Sequence, residues 1–340
     1  MDNYLEKLAN ETRLQGYDDT YTYLCVQYAS RLINNGLPVI FDPDHLAMMI
    51  GLEPIYIKRL FYFSNKSEKL YKEIEIPKKT GGFRTLSVPI EGLKYIQRWI
   101  LENILNNIPV SSSAMGFVKG KSIVDNAIKH VNKECVINYD IKNFFPTIKR
   151  KDIFRIFKYY GYTNEVSYLL SKICTYNDSL PQGAPTSPYL SNIHCLRLDK
   201  RFLKFSNKID GEYSRYADDI TISGSKKITS YSKVIEKIIE DEGFIVNEKK
   251  TRYQKQIGRQ IVTGLIVNKH VSVPIQRKRY LRQQIYYCKR YGVSSHLKYI
   301  NSKKSNFKQY LYGLAYFVKM VEKERGEYFI DQLNHVVWDY

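Results

Sequence analysis

The sequence contains no long apolar run. A membrane-spanning helix needs about 18 or more consecutive apolar residues, and no stretch of the 340 residues approaches that length. The segment from Met1 to Lys7 also lacks the basic residues followed by an apolar stretch that mark a secretory signal. We therefore expect a soluble, cytoplasmic protein.

Cysteine is scarce and scattered. The five cysteines are odd in number, and none of them forms a CxxC pair. This pattern supports neither a disulfide framework nor a zinc knuckle. We expect all of them to be reduced core residues: Cys25, Cys135, Cys174, Cys195 and Cys288.

Repeats, low-complexity segments and Pro/Gly/Ser-rich linkers are also missing. Their absence excludes a repeat array and domains strung on flexible tethers. With 340 residues, of which 44% are hydrophobic, the chain can bury one large core or two to three closely packed subdomains. It is too short for a fusion of several enzymes.

Positive charge is abundant. Lys and Arg number 53 against 34 Asp and Glu, which gives a net charge of +19 and favours a polyanionic partner. An anionic membrane is an alternative, but the basic residues are spread along the chain instead of forming one amphipathic helix. The 30 tyrosines favour nucleic acid, because aromatic faces interleaved with Lys and Arg can stack on bases.

The first half of the chain predicts helices, then a hairpin, then a buried strand. Residues 1 to about 70 have apolar residues at helical spacing. Alternating patterns over 72–77 and 83–89 flank a Gly81-Gly82 turn and predict a β-hairpin. A helix at about 91–107 precedes a short apolar strand that ends on Asp140.

The second half predicts a second hairpin with acids at its turn. Strand-like halves over 212–216 and 220–223 meet at Ala217-Asp218-Asp219. An α+β core follows from these patterns. The other predicted elements are helices near 150–160, 164–174 and 229–242, a helix that the segment 181–188 opens and that runs to about 203, strands near 244–246, 261–267 and 271–273, and mainly helices over 275–340.

Two adjacent carboxylates in a hairpin turn repel each other unless a cation holds them. Mg²⁺ prefers a few carboxylate oxygens together with waters and phosphates, so Asp140 and Asp218 would suit it. Two such ions about 4 Å apart would support nucleotidyl transfer by the two-metal route. The alternative is an Asp-Asp turn exposed to water.

The residues around these acids resemble the reverse transcriptase family. Tyr216-Ala217-Asp218-Asp219 resembles its YxDD box, and Asn138-Tyr139-Asp140-Ile141-Lys142-Asn143-Phe144-Phe145 resembles its first metal-binding motif. The resemblance implies a right-hand polymerase of fingers, palm and thumb, with the active site on an antiparallel palm sheet. It also implies two Mg²⁺ ions, or Mn²⁺, on Asp140, Asp218, Asp219 and Ile141.

Further boxes fall in the order that the family has. Pro181-Gln182-Gly183 matches the PQG motif, the hairpin with Arg84 matches the fingers, and Gly243 to Thr251 resembles a later palm motif. By this resemblance Phe145 would be the steric gate that excludes a ribose 2′-hydroxyl, and Lys250 could protonate pyrophosphate. The implied nucleotide contacts are Lys78, Lys79, Arg84, Phe145, Gln182, Gly183 and Lys250.

The resemblance also implies subdomain boundaries. We expect an N-terminal helical extension over 1–70, fingers over 71–135, a palm over 136–265 and a basic, helical thumb over 266–340. A further part of the fingers would be interleaved in the palm at about 150–183.

Two short motifs resemble those of bacterial retron reverse transcriptases. Asn126-Ala127-Ile128-Lys129-His130 resembles the NAxxH motif, and Val262-Thr263-Gly264 resembles the VTG motif. The resemblance implies a structured non-coding RNA as template and partner, priming from a 2′-hydroxyl of that RNA, and branched DNA joined to RNA. It also implies a role in anti-phage defence with a separate effector protein.

The predicted RNA contacts are these two motifs and a basic track in the thumb. Spacing places several positive charges on adjacent helical faces, although the same charges could form a merely solvated face. The track residues are Lys278, Arg279, Arg282, Lys289 and Arg290. Two other readings stay open: another bacterial reverse transcriptase, of the phage-exclusion or group II intron type, and an RNA-binding scaffold whose catalysis is vestigial.

Overall fold

The computed structural model describes residues 2–63, 70–77, 81–302 and 304–338. Lys78 and Lys79, two predicted nucleotide contacts, lie outside these residues. The chain divides into two compact units. The first comprises 1–118, 141–201 and 236–246, and the second comprises 119–140, 202–235 and 247–340. The predicted subdomain boundaries do not follow this division and stay a prediction.

The first unit is mainly helical, as the apolar spacing of its sequence predicts. A side-chain cap begins each of two helices, because Asp18 accepts from the amide of Tyr21 and Asp42 accepts from that of His45. Its helices are α1 (Asp2–Leu14), α2 (Asp19–Asn34), α3 (Pro43–Ile50), α4 (Pro54–Phe63), α5 (Glu91–Asn103), α7 (Phe144–Thr147), α8 (Arg150–Tyr159), α9 (Asn164–Ile173) and α10 (Ser187–His194).

The predicted hairpin forms in the first unit. Strands β1 (Tyr71–Pro77) and β2 (Phe83–Pro89) pair antiparallel, with Ile76 opposite Arg84. Most of its residues are exposed, and Arg84 is among them. The described residues of the hairpin, Arg84 included, are therefore mostly open to solvent, as a substrate-contacting hairpin would require.

A four-stranded antiparallel sheet forms the centre of the second unit and confirms the α+β prediction. Its strands are β3 (Cys135–Asp140), β4 (Glu212–Tyr216), β5 (Asp219–Gly224) and β6 (Arg252–Lys255), in the order β4-β5-β3-β6. Every residue of β3 is buried, which matches its apolar sequence. This strand pairs with β5 on one side and β6 on the other.

The rest of the second unit packs on an apolar core. Helix α6 (Ile123–Ile128) and the short hairpin of β7 (Ile261–Val262) and β8 (Leu265–Ile266) contribute Ala127, Val262 and Leu265 to that core. The C-terminal helices bury an apolar stripe in the same core: α13 (Ile275–Tyr291), α14 (Val293–Tyr299), α15 (Phe307–Val321) and α16 (Lys323–Asn334). Helices α11 (Leu196–Lys208) and α12 (Ser232–Asp241) have residues in both units.

Four predicted elements differ in the structure. The strand expected near 261–267 is the short hairpin of β7 and β8. The strands expected near 244–246 and 271–273 are only single bridges, Ile141 to Val246 and Ile266 to Ser272. The helix expected to run to about 203 is interrupted at Cys195. Strand β6 was not predicted. Within the described ranges, no helix combines the length and apolarity that crossing a bilayer requires.

Candidate active site

Two strands of the central sheet bring acidic side chains to the same end. The turn between β4 and β5 runs through Ala217, which has a left-handed φ of 57°, and Asp219 is the first residue of β5. Asp140 is the last residue of β3 and lies directly opposite Asp219 in the antiparallel register. The sheet thus joins two carboxylates that are 79 positions apart in the chain, with Asp218 beside them.

The electrostatics of this cluster favour a bound cation. Burial, followed by the negative charges of Asp218 and Asp140, raises the pKa of Asp219 to about 6, against the opposing effect of Arg252 and Lys250. Asp140 is 8% exposed. Such crowding of like charges with little solvent is what a hard divalent ion relieves.

Two side chains of the loop that follows α12 form hydrogen bonds with the Asp140 carboxylate. The Asn247 amide donates to Oδ1 at 2.9 Å, and the Lys250 ammonium donates to Oδ2 at 2.9 Å. The backbone amide of Asn247 also donates to the Asp140 carbonyl at 2.8 Å. The palm-like motif from Gly243 to Thr251 therefore orients the first carboxylate. Asn247 was not predicted as a site residue, although it lies inside that motif.

The carboxylates at this end of the sheet suit a Mg²⁺ ion whose remaining ligands are waters and substrate phosphates. Among the described residues, no three His, Cys, Asp or Glu side chains form a ready-made metal cage. Mg²⁺ commonly takes one or two carboxylates and completes its shell with waters and phosphates, and Asp140 with the 218–219 turn can supply the carboxylates. Ile141, a predicted ligand, forms a single bridge with Val246, and its metal contact stays a prediction.

A buried arginine supports the acidic turn. Arg215 in β4 has no exposed surface, and its guanidinium donates to the carbonyl of Ala217 at 3.2 Å. A charged side chain is rarely buried without a structural reason. This residue was not predicted. Its signal in the sequence is a basic residue inside the strand-like segment that leads into the acidic turn.

The PQG motif contacts the hairpin of the first unit. The backbone carbonyl of Gln182 accepts a hydrogen bond from the backbone amide of Ser87 at 2.7 Å. Gly183 has a φ of 125°, and a Cβ at this position would lie 2.9 Å from the Ser87 carbonyl oxygen. The glycine therefore allows a close backbone approach to β2. The contacts of Gln182 and Gly183 with a nucleotide stay predictions.

The predicted steric gate belongs to an aromatic cluster of the first unit. Phe145, in α7, is half-buried, and its ring centroid lies 5.3 Å from that of Phe144 and 6.3 Å from that of Phe117. These contacts limit the rotamers of Phe145, as a gate requires. Its role toward the sugar stays a prediction.

The NAxxH motif and the valine of the VTG motif do not offer RNA-binding side chains. Asn126, His130 and Val262 are at most 1% exposed, which contradicts their predicted contact with RNA. Asn126 and His130 form hydrogen bonds with serines of the central sheet instead. Thr263 is half-buried and Gly264 exposed at the hairpin turn, where an RNA contact stays a prediction.

Lys278 also departs from the predicted basic track. It is 7% exposed, and its ammonium donates to both oxygens of Glu322 at 2.7 and 2.9 Å. Its burial and ion pair place it in the core, so its assignment as a phosphate contact is wrong. The other members are exposed: Arg279, Arg282, Lys289 and Arg290.

The family model for "Reverse transcriptase (RNA-dependent DNA polymerase)" matches residues 76–284, which include the sheet and its acidic turn. The chain belongs to the reverse transcriptase family. Its activity is therefore that of an RNA-directed DNA polymerase, and the right-hand polymerase fold that the motifs predicted is confirmed.

Named relatives identify the branch of this reverse transcriptase. It is 34% identical over 277 residues to the retron Ec86 reverse transcriptase of Escherichia coli, covering 79% of this chain and 85% of the relative. It is 32% identical over 340 residues to the retron Mx162 reverse transcriptase of Myxococcus xanthus, covering 89% and 68%. The chain is thus a reverse transcriptase of retron type, as predicted.

Solved structures with similar folds are more distant. Telomerase from Candida tropicalis in complex with a telomeric RNA fragment gives a TM-score of 0.45 at 14% identity, covering 84% of this chain and 68% of that one. A foamy viral protease-reverse transcriptase gives 0.38 at 13% identity, covering 99% and 60%. Likenesses of this strength do not bear on the function of this reverse transcriptase.

Proposed function

We propose that this reverse transcriptase copies part of a structured RNA encoded beside its gene. Synthesis starts from a 2′-hydroxyl of that RNA and yields single-stranded DNA joined to it by a branch. The enzyme acts in the cytoplasm, in anti-phage defence, together with a separate effector protein. The similarity to retron enzymes supports this proposal, and the convergence of Asp140 and Asp219 supports its chemistry.

Asp140, Asp218 and Asp219 are the proposed ligands of two Mg²⁺ ions, or of Mn²⁺. When bound, such ions lower the pKa of a primer hydroxyl and stabilise the leaving pyrophosphate. Asn247 and Lys250 hold Asp140 in place from the loop after α12. Lys250 is more than half exposed, which leaves its ammonium accessible for the proposed proton transfer to pyrophosphate.

The remaining nucleotide contacts follow the family pattern. Arg84 is exposed on β2 and is proposed to bind the triphosphate together with Lys78 and Lys79. Gln182 and Gly183 would contact the incoming base pair, and Phe145 would exclude a ribose 2′-hydroxyl by its bulk. Selection of deoxynucleotides is thereby a matter of shape.

RNA binding is proposed to involve the exposed side of α13. Arg279, Arg282, Lys289 and Arg290 present positive charge to solvent along this helix. Exposed tyrosines lie on the same helix, and Tyr286 is 57% and Tyr291 60% exposed. Charge beside aromatic faces suits a structured RNA, because phosphates and unpaired bases can both be bound.

Substitution of the acidic turn tests the catalytic assignment. Asp218→Asn and Asp219→Asn should abolish DNA synthesis on poly(rA)·oligo(dT) and leave binding of that template–primer largely intact, because phosphate contacts elsewhere dominate affinity. Asp210→Asn is the matched control, since Asp210 is an exposed acid at the opposite end of β4 and should retain full activity. Synthesis by either turn variant would refute the metal assignment.

Copurifying nucleic acid tests the retron assignment. Sequencing should recover one short structured RNA joined to DNA, and the linkage should be cleaved by a 2′,5′-debranching enzyme. Random DNA attached to a tyrosine side chain would instead support an untemplated, phage-exclusion type of enzyme. Absence of synthesis by the native chain would favour a vestigial scaffold.

A further inference from the structure

A polar face of the central sheet extends behind the acidic turn. Side chains alternate along a strand, so Asp219, Thr221 and Ser223 of β5 share one face. Ser214 of β4 lies opposite Thr221 and therefore shares that face as well. Small polar residues thus continue the catalytic face of the hairpin away from its turn.

His130 joins the two strands of this hairpin. Its Nε2 lies 2.7 Å from the hydroxyl of Ser214, and its Nδ1 lies 2.7 Å from that of Ser223. Ser214 precedes Asp218 by four residues, and Ser223 follows Asp219 by four, so the ring bridges β4 and β5 about 13 Å from the acids along each strand. His130 has no exposed surface, and therefore the bridge is closed to water.

The neighbouring bonds determine the protonation of this ring. The Ser214 hydroxyl donates to Oδ1 of Asn126, so it can only accept from His130, and Nε2 must carry the hydrogen. Nδ1 then accepts from the Ser223 hydroxyl. Burial, together with the charges of Lys129 and Lys133, lowers the pKa of His130 to about 3, which keeps it neutral.

The chain of bonds continues to the β7–β8 turn. The amide of Asn126 donates to the Thr263 hydroxyl at 3.5 Å, and that hydroxyl donates to the Ile123 carbonyl at 3.2 Å. Every side chain in the series therefore donates one hydrogen bond to the next. The order of the donors is Ser223, His130, Ser214, Asn126 and Thr263. Satisfied buried networks of this kind specify one arrangement of the elements they join.

We propose that His130 is a positioning residue that sets the register and position of the hairpin carrying Asp218 and Asp219. Register is strongly specified where an apolar pattern separates core from solvent. Both faces of β5 are buried, so no contrast between core and solvent sets its register. Ile220 and Ile222 occupy its apolar face, and the hydrogen bonds to His130 hold the opposite, polar face at Ser214 and Ser223. The NAxxH motif thereby serves catalysis through the sheet and does not read RNA with this side chain. This inference rests on the proposed metal ligands.

Replacement by glutamine separates this role from RNA recognition. His130→Gln keeps a polar side chain but loses the two-sided bridge of the ring. On poly(rA)·oligo(dT), kcat should fall about tenfold or more, while the KM for template–primer stays within about twofold. The Mg²⁺ concentration for half-maximal rate should rise, because displaced carboxylates bind the ion less well.

Hydrogen exchange supplies a readout that does not depend on activity. Amides of 212–224 should exchange faster in the His130→Gln variant, whereas those of α13 should not change. His296→Gln is the matched control, because His296 is another buried histidine of the same unit, 4% exposed and bonded to Gln284 at 2.9 Å. It should lower Tm without changing kcat or exchange in the hairpin.

Other outcomes would overturn the proposal. A higher KM for template–primer with normal kcat would make His130 an RNA-recognition residue. A lower Tm alone, as in the control, would make it an ordinary core residue. If the histidine variant does not fold, Ser223→Ala removes one bond of the bridge and Ser223→Thr restores a hydroxyl, and rescue of kcat by threonine is then the deciding result. Activity in Asp218→Asn would refute the metal assignment instead, whatever the behaviour of His130.

Discussion

The guanidinium of Arg215 donates to the carbonyl of Ala217, 3.2 Å away, inside the turn that carries the two aspartates. Ala217 has a φ of 57°, a left-handed conformation that costs a residue with a Cβ about 1–2 kcal/mol. A buried donor that binds its carbonyl compensates part of that cost. Arg215 therefore stabilises the turn conformation that holds Asp218 and leads into β5 at Asp219.

Arg215→Lys should impair catalysis more than binding. Lysine keeps the charge but lacks the planar guanidinium, so the Ala217 carbonyl loses a fixed donor. We expect kcat on poly(rA)·oligo(dT) to fall about tenfold, equivalent to about 1.4 kcal/mol, with template affinity unchanged. Arg201→Lys is the control, because Arg201 pairs with the carboxylates of Asp241 and Glu242, which belong to the first unit. Equal kcat in both variants would refute the role of Arg215.

The convergence of the acids could be predicted from local patterns. An apolar strand that ends on Asp140 and a hairpin with acids at its turn each appear within a few residues of sequence. The structure pairs Asp140 with Asp219 as neighbours. Strand β6 could not be predicted in this way, because its residues Arg252–Lys255 are polar and mostly exposed, with no apolar alternation.

Burial of the polar motif residues could not be predicted either. Asn is mostly exposed and His is intermediate in proteins, and the serines that bind His130 lie 84 and 93 residues away in the chain. The burial of Lys278, in contrast, could have been predicted from its position in the sequence. This lysine shares helical spacing with Leu281, Ile285 and Cys288, which are all buried, so the apolar stripe of α13 includes its position.

Gly183→Ala should weaken the contact between the PQG motif and β2. The added Cβ would meet the Ser87 carbonyl oxygen at 2.9 Å, in a backbone conformation with a φ of 125°. We expect a higher KM for deoxynucleotides and a lower Tm. Gly51→Ala is the control, because Gly51 also has a positive φ of 77° but open space around it, so only a loss of about 1–2 kcal/mol in stability is expected. A normal KM for the Gly183 variant would contradict the prediction.

Lys278 and Arg282 should respond differently to substitution although both are basic residues of α13. Lys278→Ala leaves the partly buried Glu322 without its cation, and loss of one partner of a buried pair costs up to about 3–5 kcal/mol. Its Tm should fall while the salt dependence of RNA binding stays unchanged. Arg282→Ala should leave Tm unchanged and reduce the slope of log affinity against log salt by about 0.7–0.9. Binding of a stem-loop RNA at several salt concentrations measures both, and a changed slope for Lys278 would restore it to the phosphate track.

The buried His130 should make the fold sensitive to acid. Its pKa is lowered from 6.5 in the unfolded chain to about 3, chiefly by burial, with contributions from Lys129 and from Lys133, which pairs with Glu212. Between these two pH values the unfolded chain binds a proton on this residue and the folded chain does not. The free energy of unfolding therefore falls with decreasing pH, by up to about 1.4 kcal/mol per unit.

His130→Gln removes this dependence, since glutamine does not titrate. The Tm of the native protein should exceed that of the variant at pH 7.5, where the contribution of the neutral histidine is complete. The difference should shrink as the pH is lowered from 6.5 toward 4.5, and His296→Gln provides the comparison for a second buried histidine with a lowered pKa. A difference that stays constant over this range would mean that His130 accepts a proton in the folded chain, which would contradict the closed, neutral bridge between Ser214 and Ser223.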